Sequence, residues 1–390
     1  MNFDNTKIAF SMKSKGDLRN AQLLFSVIKT PFVVKLAKIM TNTALAIHFP
    51  VAWAVKPTLY RQFVGGESLE ECSKLVDLLK SYNVKCVLDY SAEGGSSQQH
   101  IDNAYNETIC SIKFAKGNAF IPYTVFKPTA MVNEAVLNKA ARDIESLNEQ
   151  EREELKMFRE RVLALCQKAY DNDVRILIDA EHYATQDIID RVAEEAMERF
   201  NSKRAIVFQT LQMYRTDRLD YLKRIHKEAQ EKNYIPGIKF VRGAYMEEER
   251  ALAEKNGYPD PIHPTKEATD NCYDSGLKYV MEHIDSFELF SGTHNYESNF
   301  LLAELIEEKK LKRDDQRIYF SQLYGMSDNI TFTLAESNFN VCKYVPYAPV
   351  REVLPYLLRR AEENTSMAGQ TGRELQLIKS EIARRRKAHS

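Results

Sequence analysis

The chain has no C-x-x-C pair and no cluster of cysteine with histidine. Its six cysteines, Cys72, Cys86, Cys110, Cys166, Cys272 and Cys342, are scattered. That spacing excludes a zinc ribbon, and a reduced intracellular protein is expected. Glycine (14) and proline (12) are sparse for 390 residues, which argues against long disordered linkers. Neither sign of charge dominates. The formal net charge is −1, so nothing draws the whole chain toward nucleic acid. Long hydrophobic runs are missing too. The longest uncharged run, residues 39–55, contains Thr41, Asn42, Thr43, His48 and Pro50. It falls short of the ~20 apolar residues of a spanning helix. Buried N-terminal helix is expected there, with a peripheral membrane contact as the alternative. Met1-Asn2-Phe3-Asp4 opens no basic stretch with an apolar core behind it, so no signal peptide is expected. No G-x-G-x-x-G follows a strand-like run, and no Walker loop, H-E-x-x-H or G-x-S-x-G occurs. Those absences exclude a dinucleotide-type Rossmann domain, a P-loop, a zincin and a nucleophile-elbow hydrolase.

What is present is alternation. Eight short apolar, β-branched or aromatic runs recur at 84–90, 120–126, 174–179, 205–210, 237–241, 287–292, 318–322 and 341–344. Each has strand length and composition. Amphipathic helical patterns separate most of them, at 68–82, 148–170, 186–200, 218–232, 266–284, 299–309 and 349–364. Near-continuous apolar strands alternating with helices predict a parallel sheet covered by helices. Eight units over roughly 300 residues fit a closed (β/α)8 TIM-type barrel better than an open sheet. Residues 1–65 read as an N-terminal helical arm, 66–369 as the barrel and 370–390 as a C-terminal helical tail. The tail ends in Arg384-Arg385-Arg386-Lys387, read as a solvated helix end, with an anionic-lipid contact as the rival.

In such a barrel the C-terminal ends of the strands carry the site. Strand one leads to Asp89 and Glu93, strand two to Lys127, and strand three to Asp179 and Glu181. Strand four leads to Gln212 and Tyr214, and strand five holds Lys239 and leads to Arg242, Gly243, Ala244 and Tyr245. Strand six leads to Thr293, His294 and Asn295, and strand seven to Leu323 and Tyr324. Strand eight holds Tyr344, and the helix after it Tyr356, Arg359, Arg360 and Glu363. Any one of these residues could be structural. Convergence at the ends of all eight strands is hard to explain as packing. Two adjacent arginines suit a small carboxylate, because each planar guanidinium donates two parallel hydrogen bonds. His294 has no second metal ligand at useful spacing, so no metal is expected.

Several motifs together resemble those of the proline dehydrogenase family. They are Phe63-Val64-Gly65-Gly66-Glu67, Leu88-Asp89-Tyr90-Ser91-Ala92-Glu93-Gly94, Ile178-Asp179-Ala180-Glu181, Gln212-Met213-Tyr214, Val241-Arg242-Gly243-Ala244-Tyr245, Thr293-His294-Asn295, Gln322-Leu323-Tyr324-Gly325-Met326, Tyr344-Val345-Pro346-Tyr347 and Tyr356-Leu357-Leu358-Arg359-Arg360. They occur in the family's order over about residues 60–365. The resemblance implies a distorted (β/α)8 barrel with FAD across the strand ends. It implies oxidation of L-proline to Δ1-pyrroline-5-carboxylate, with a quinone as the electron acceptor. It also implies a cytoplasmic enzyme, in contact with the inner membrane at most peripherally. Carried over, Lys127, Arg359 and Arg360 hold the substrate carboxylate, and Glu93 orients Lys127. Asp179, Ala244, Tyr245, Leu323, Tyr344 and Tyr356 shape the pocket. Gln212, Lys239, Arg242, Gly243, Thr293, His294, Asn295 and Glu363 contact FAD, with Asp179 and Ala244 at the flavin edge. Lys239 stands where many bacterial members have arginine; it keeps a donor but lacks the fork. The rival readings are a hydroxyproline dehydrogenase, an aldolase or phosphate-binding barrel without flavin, and a non-catalytic binding barrel.

Overall fold

The computed structural model describes residues 1–29, 52–92, 97–366 and 368–388, with backbone alone at 52, 54, 362–366 and 368–371. Glu93 and the side chain of Glu363 lie outside the described residues, as does most of the uncharged run 39–55.

Eight strands form a closed barrel in sequence order. They are β1 (Lys85–Tyr90), β2 (Tyr123–Phe126), β3 (Arg175–Ile178), β4 (Val207–Gln212), β5 (Gly237–Val241), β6 (Glu288–Gly292), β7 (Ile318–Leu323) and β8 (Val341–Tyr347). The strand runs predicted from sequence meet these closely, with three shifts. β2 starts late, because Pro122 has no N–H for a ladder and the Phe120 N–H turns back to the Asn118 side chain. β4 and β8 run on to Gln212 and Tyr347, since backbone pairing continues past the last apolar residue of each run. Four helices, Gln98–Ala115, Glu134–Arg142, Met246–Asn256 and Asp328–Glu336, are not among those expected from the sequence.

The chain divides into two compact units, Met1–Gly94 with Gln322–Ser390, and Gly95–Ser321. In the first, β1 and β8 pair in parallel, with Leu88 opposite Val345 and Tyr90 opposite Tyr347. The arm helix Lys15–Ile28 starts at a capping box, Ser14 with Asp17, and buries Leu18, Ala21, Phe25 and Ile28. Those residues join one core with Tyr60, Phe63, Val353, Tyr356, Leu357, Leu375 and Ile378. The basic tail is partly spent on this core. Arg384 and Arg385 both bond Glu381, and Arg385 also donates to the carbonyls of Phe10 and Lys13, each at 2.7 Å.

In the second unit, β2 to β7 pair in parallel throughout. The N-terminal ends of these strands are plugged by aromatic rings. Tyr123 meets Phe208, Phe290 and Tyr319 edge to face at 5.2, 4.9 and 5.0 Å. Arg175 lies over Tyr123 and Tyr319 and pairs with Glu288 at 3.0 Å. Gly237 makes room for this layer, since a Cβ there would stand 2.5 Å from the Val207 carbonyl and 2.9 Å from the Phe208 ring. Among the described residues, no helix is long and apolar enough to cross a membrane.

Candidate active site

In the Gly95–Ser321 unit, polar residues gather where strands end. Asp179 follows β3 directly, and its N–H donates to the Phe126 carbonyl at 3.1 Å. Strand alternation puts Lys239 on the same face of β5 as Gly237, two residues further along. Its ammonium stands 2.5 Å from the Asp179 carboxylate, with both side chains mostly buried. Glu181 is buried, and its carboxylate takes the Thr129 N–H and hydroxyl, each at 2.7 Å. Burial pushes the Glu181 carboxyl up, while the Thr129 bonds and the Lys127 ammonium beyond β2 partly offset that. Gln212 closes β4 and donates to the Glu181 carbonyl at 2.7 Å.

The Arg242 side chain has three hydrogen-bond partners among the described residues. It donates to Asp270 at 2.7 Å, Thr293 at 2.6 Å and Ser298 at 3.0 Å, with the Tyr273 ring 4.5 Å away. The Thr293 hydroxyl also accepts the Asn295 N–H, and the Asn295 side chain caps helix Tyr296–Glu308 through the Ser298 N–H. This draws Arg242 and the turn Thr293-His294-Asn295 into one network. The sequence gives no local signal for Asp270 and Ser298 as partners of Arg242, because they come from two different helices. Gly243 has a φ of 135° and presses on Tyr214, where a Cβ would meet the ring at 2.5 Å. Gly243 and Ala244 are exposed, and Tyr245 is half-buried.

The Met1–Gly94 and Gln322–Ser390 unit holds the second set. Tyr344 in β8 is buried, and its carbonyl accepts the Tyr324 N–H at 2.9 Å. Its neighbour Lys343 is fully buried. The Lys343 ammonium reaches Asp328 at 2.8 Å, the Met326 carbonyl at 2.6 Å and the Leu323 carbonyl at 3.4 Å. A lysine inside an apolar strand thus ties down the loop that carries half-buried Leu323. Helix Val350–Ser366 follows β8. Tyr356, Arg359 and Arg360 share one helical face by their spacing, and the Arg360 guanidinium lies 5.3 Å from the centre of the Tyr356 ring. Both arginines are half-buried.

The donor set suits an anionic, polar cofactor. A guanidinium and a capped helix start attract phosphate, and the exposed glycine allows close backbone approach. The buried Thr210 hydroxyl, in register with Lys239, has no hydrogen-bond partner among the described residues.

A family profile described as "Proline dehydrogenase" matches residues 72–373. The chain is 34% identical over 323 residues to "Carbapenem antibiotics biosynthesis protein CarD" of Pectobacterium carotovorum subsp. carotovorum, covering 83% of each protein. It is 32% identical over 431 residues to "Proline dehydrogenase 2, mitochondrial" of Arabidopsis thaliana, covering 98% of this chain and 90% of the plant protein. Against "Proline dehydrogenase 1, mitochondrial" of Homo sapiens it is 42% identical over 240 residues, which is 60% of this chain and 40% of the human one. Among solved structures, proline utilization A from Bdellovibrio bacteriovorus, inactivated by N-propargylglycine, superposes with a TM-score of 0.72 at 20% identity. That likeness covers 92% of this chain and 38% of the other, and it supports the barrel fold. The chain belongs to the proline dehydrogenase family.

Proposed function

We propose that the residues at the strand ends oxidise L-proline with FAD as the immediate acceptor and a quinone as the final one. As a family member the chain is an oxidoreductase of proline catabolism, converting L-proline to Δ1-pyrroline-5-carboxylate. The observation that carries the site assignment is the face of helix Val350–Ser366 that presents Tyr356, Arg359 and Arg360 just after β8.

Bound FAD would supply the acceptor for the hydride and the two electrons it carries. Lys127, Arg359 and Arg360 bind the substrate carboxylate, and Glu93 orients Lys127. Three cations on one carboxylate hold the ring in a single orientation, which is catalysis by positioning. Asp179, Ala244, Tyr245, Leu323, Tyr344 and Tyr356 enclose the ring. Gln212, Lys239, Arg242, Gly243, Thr293, His294, Asn295 and Glu363 hold the cofactor. In this reading residues 1–65 are an arm, 66–369 the catalytic barrel and 370–390 a tail. The enzyme works inside the cell and touches the membrane at most peripherally.

Heat release from the folded, yellow protein followed by chromatography tests the cofactor. FAD is expected, and recovery of FMN or NAD alone would overturn the assignment. Steady-state turnover of L-proline with a dye acceptor tests the reaction. The amine must lose its proton before hydride leaves, so flavin reduction by proline rises with pH. A flat profile between about pH 6 and 9 would contradict this.

A further inference from the structure

His182 stands where a helix needs a cap, and it does not provide one. It is the N-cap residue of helix Tyr183–Phe200, with extended backbone and no side-chain capping bond. Histidine is a poor choice for capping, where Ser, Thr, Asp and Asn are preferred. The missing acceptor comes from elsewhere in the same unit. Glu249, in helix Met246–Asn256, is fully buried and takes the Tyr183 N–H at 2.8 Å. The same carboxylate oxygen lies 3.3 Å from His182 Nδ1. Glu249 is anchored in turn, since its N–H donates to the Tyr245 carbonyl at 2.8 Å.

The imidazole is left to pack on Tyr245. The two ring centres are 4.3 Å apart and tilted by 38°. A closed triangle results: the Tyr245 backbone holds Glu249, Glu249 holds His182, and His182 covers one face of the Tyr245 ring. The Tyr245 side chain makes no capping bond at the start of helix Met246–Asn256, and the residue follows exposed Gly243 and Ala244. Its ring therefore sits beyond a stretch with little side-chain bulk, and His182 supplies a wall.

We propose that His182, anchored by buried Glu249, is a positioning residue that fixes the Tyr245 ring for substrate recognition. This rests on the function proposed above and on Tyr245 lining the pocket. An aromatic pair in contact contributes enough to predict a roughly two- to tenfold effect on binding.

The experiment is a double-mutant cycle on the flavin-loaded enzyme, read as KM and kcat for L-proline with a dye acceptor. His182→Ala is expected to raise KM by about two- to tenfold and to change kcat less. His182→Phe keeps a planar ring without the Glu249 bond and should recover most of the loss. In a Tyr245→Ala background, His182→Ala should add nothing. An unchanged KM in His182→Ala, or the same KM change with and without the Tyr245 ring, would overturn the inference while wild-type turnover stands. Absence of proline turnover in the flavin-loaded wild type would instead overturn the proposed function and this inference with it. His182→Phe guards against a folding artefact, since a variant that folds, keeps a ring against Tyr245 and still loses affinity also refutes the role.

Discussion

Among the ion pairs of the Gly95–Ser321 unit, two are built differently. Arg175 and Glu288 open β3 and β6 at their N-terminal ends. The guanidinium lies against two tyrosine rings, donates to Glu288 at 3.0 Å and donates to the Gln316 carbonyl at 2.8 Å. Glu288 also accepts the Ala205 N–H at 3.0 Å. Burial works against the Arg175 charge, yet Tyr123 and Glu288 outweigh it and hold the guanidinium above its ordinary value. Lys239 and Asp179 stand toward the C-terminal ends. There the cation is a compact ammonium, and the carboxylate is 16% exposed against 6% for Glu288. An arginine fork enclosed by rings and fixed acceptors belongs to the core. A point charge beside a partly open carboxylate can still meet a ligand.

The largest test of that contrast is Arg175→Met. It strands Glu288 in the core and should destabilise the fold by about 3–5 kcal/mol, read as a lower urea midpoint. Lys239→Met should move the midpoint much less and act mainly on flavin content and proline turnover. Equal loss of stability in both variants would erase the distinction between the two ends.

Next in size are the arginines of helix Val350–Ser366. Arg359→Met and Arg360→Met should each cut kcat/KM for L-proline about ten- to hundredfold, the scale of a lost charged hydrogen bond of ~1.5–3 kcal/mol. Thermal unfolding should barely change. A loss below about threefold in both would make them surface residues rather than ligands of a carboxylate.

Tyr344 sharpens the comparison within the pocket. If its phenol faces the ring, proline should be preferred over 4-hydroxyproline by about 1–3 kcal/mol in kcat/KM. Tyr344→Ser should then narrow the gap by lowering activity on proline more. A mutant with the wild-type preference ratio would remove Tyr344 from this role.

The last test concerns a third charged cluster, in the other unit. Burial raises the Asp328 carboxyl, but Lys343 and Lys13 outweigh it and hold the group below its ordinary value. Glu374, whose carboxylate accepts the Ser327 N–H at 3.2 Å, is instead pushed up to about 7 by burial and Asp328. A folded value above the unfolded one favours the protonated acid. Its stabilising effect is complete below the ordinary value of about 4.3 and is lost as pH rises through about 7. Glu374→Gln should therefore flatten the fall in urea midpoint between about pH 5 and 8 relative to wild type. An unchanged difference between the two proteins across that range would refute it.

Much of the fold is legible in the residues, and the reason is burial. Strands of a parallel barrel are covered on both faces, so 237–241 reads as an apolar run and forms β5 over the same residues. Helix Arg218–Lys232 likewise keeps its predicted bounds. The order of the polar residues follows from those strands, so the position of Asp179 after β3 and of Arg359 and Arg360 after β8 could be read ahead. Helix Asp328–Glu336 could not. It is buried almost throughout, yet Asp328, Asn329, Thr331 and Thr333 break any apolar stripe. Two of these polar groups are satisfied by distant partners, Asn329 by the Phe3 carbonyl and Thr331 by Gln322.

The sequence by itself determined the alternation of strands and helices, the barrel class and the family, because periodicity and motif order are local properties of the chain. Only the tertiary structure decided what each buried charge does. Arg175, Arg242 and Lys343 are alike in the sequence as cations in or beside apolar runs. One closes the aromatic plug, one knots a turn to two helices, and one ties a loop to β8. Their partners lie tens of residues or more away in most cases, and a charge taken out of water is held by whichever acceptor the fold brings within hydrogen-bond reach.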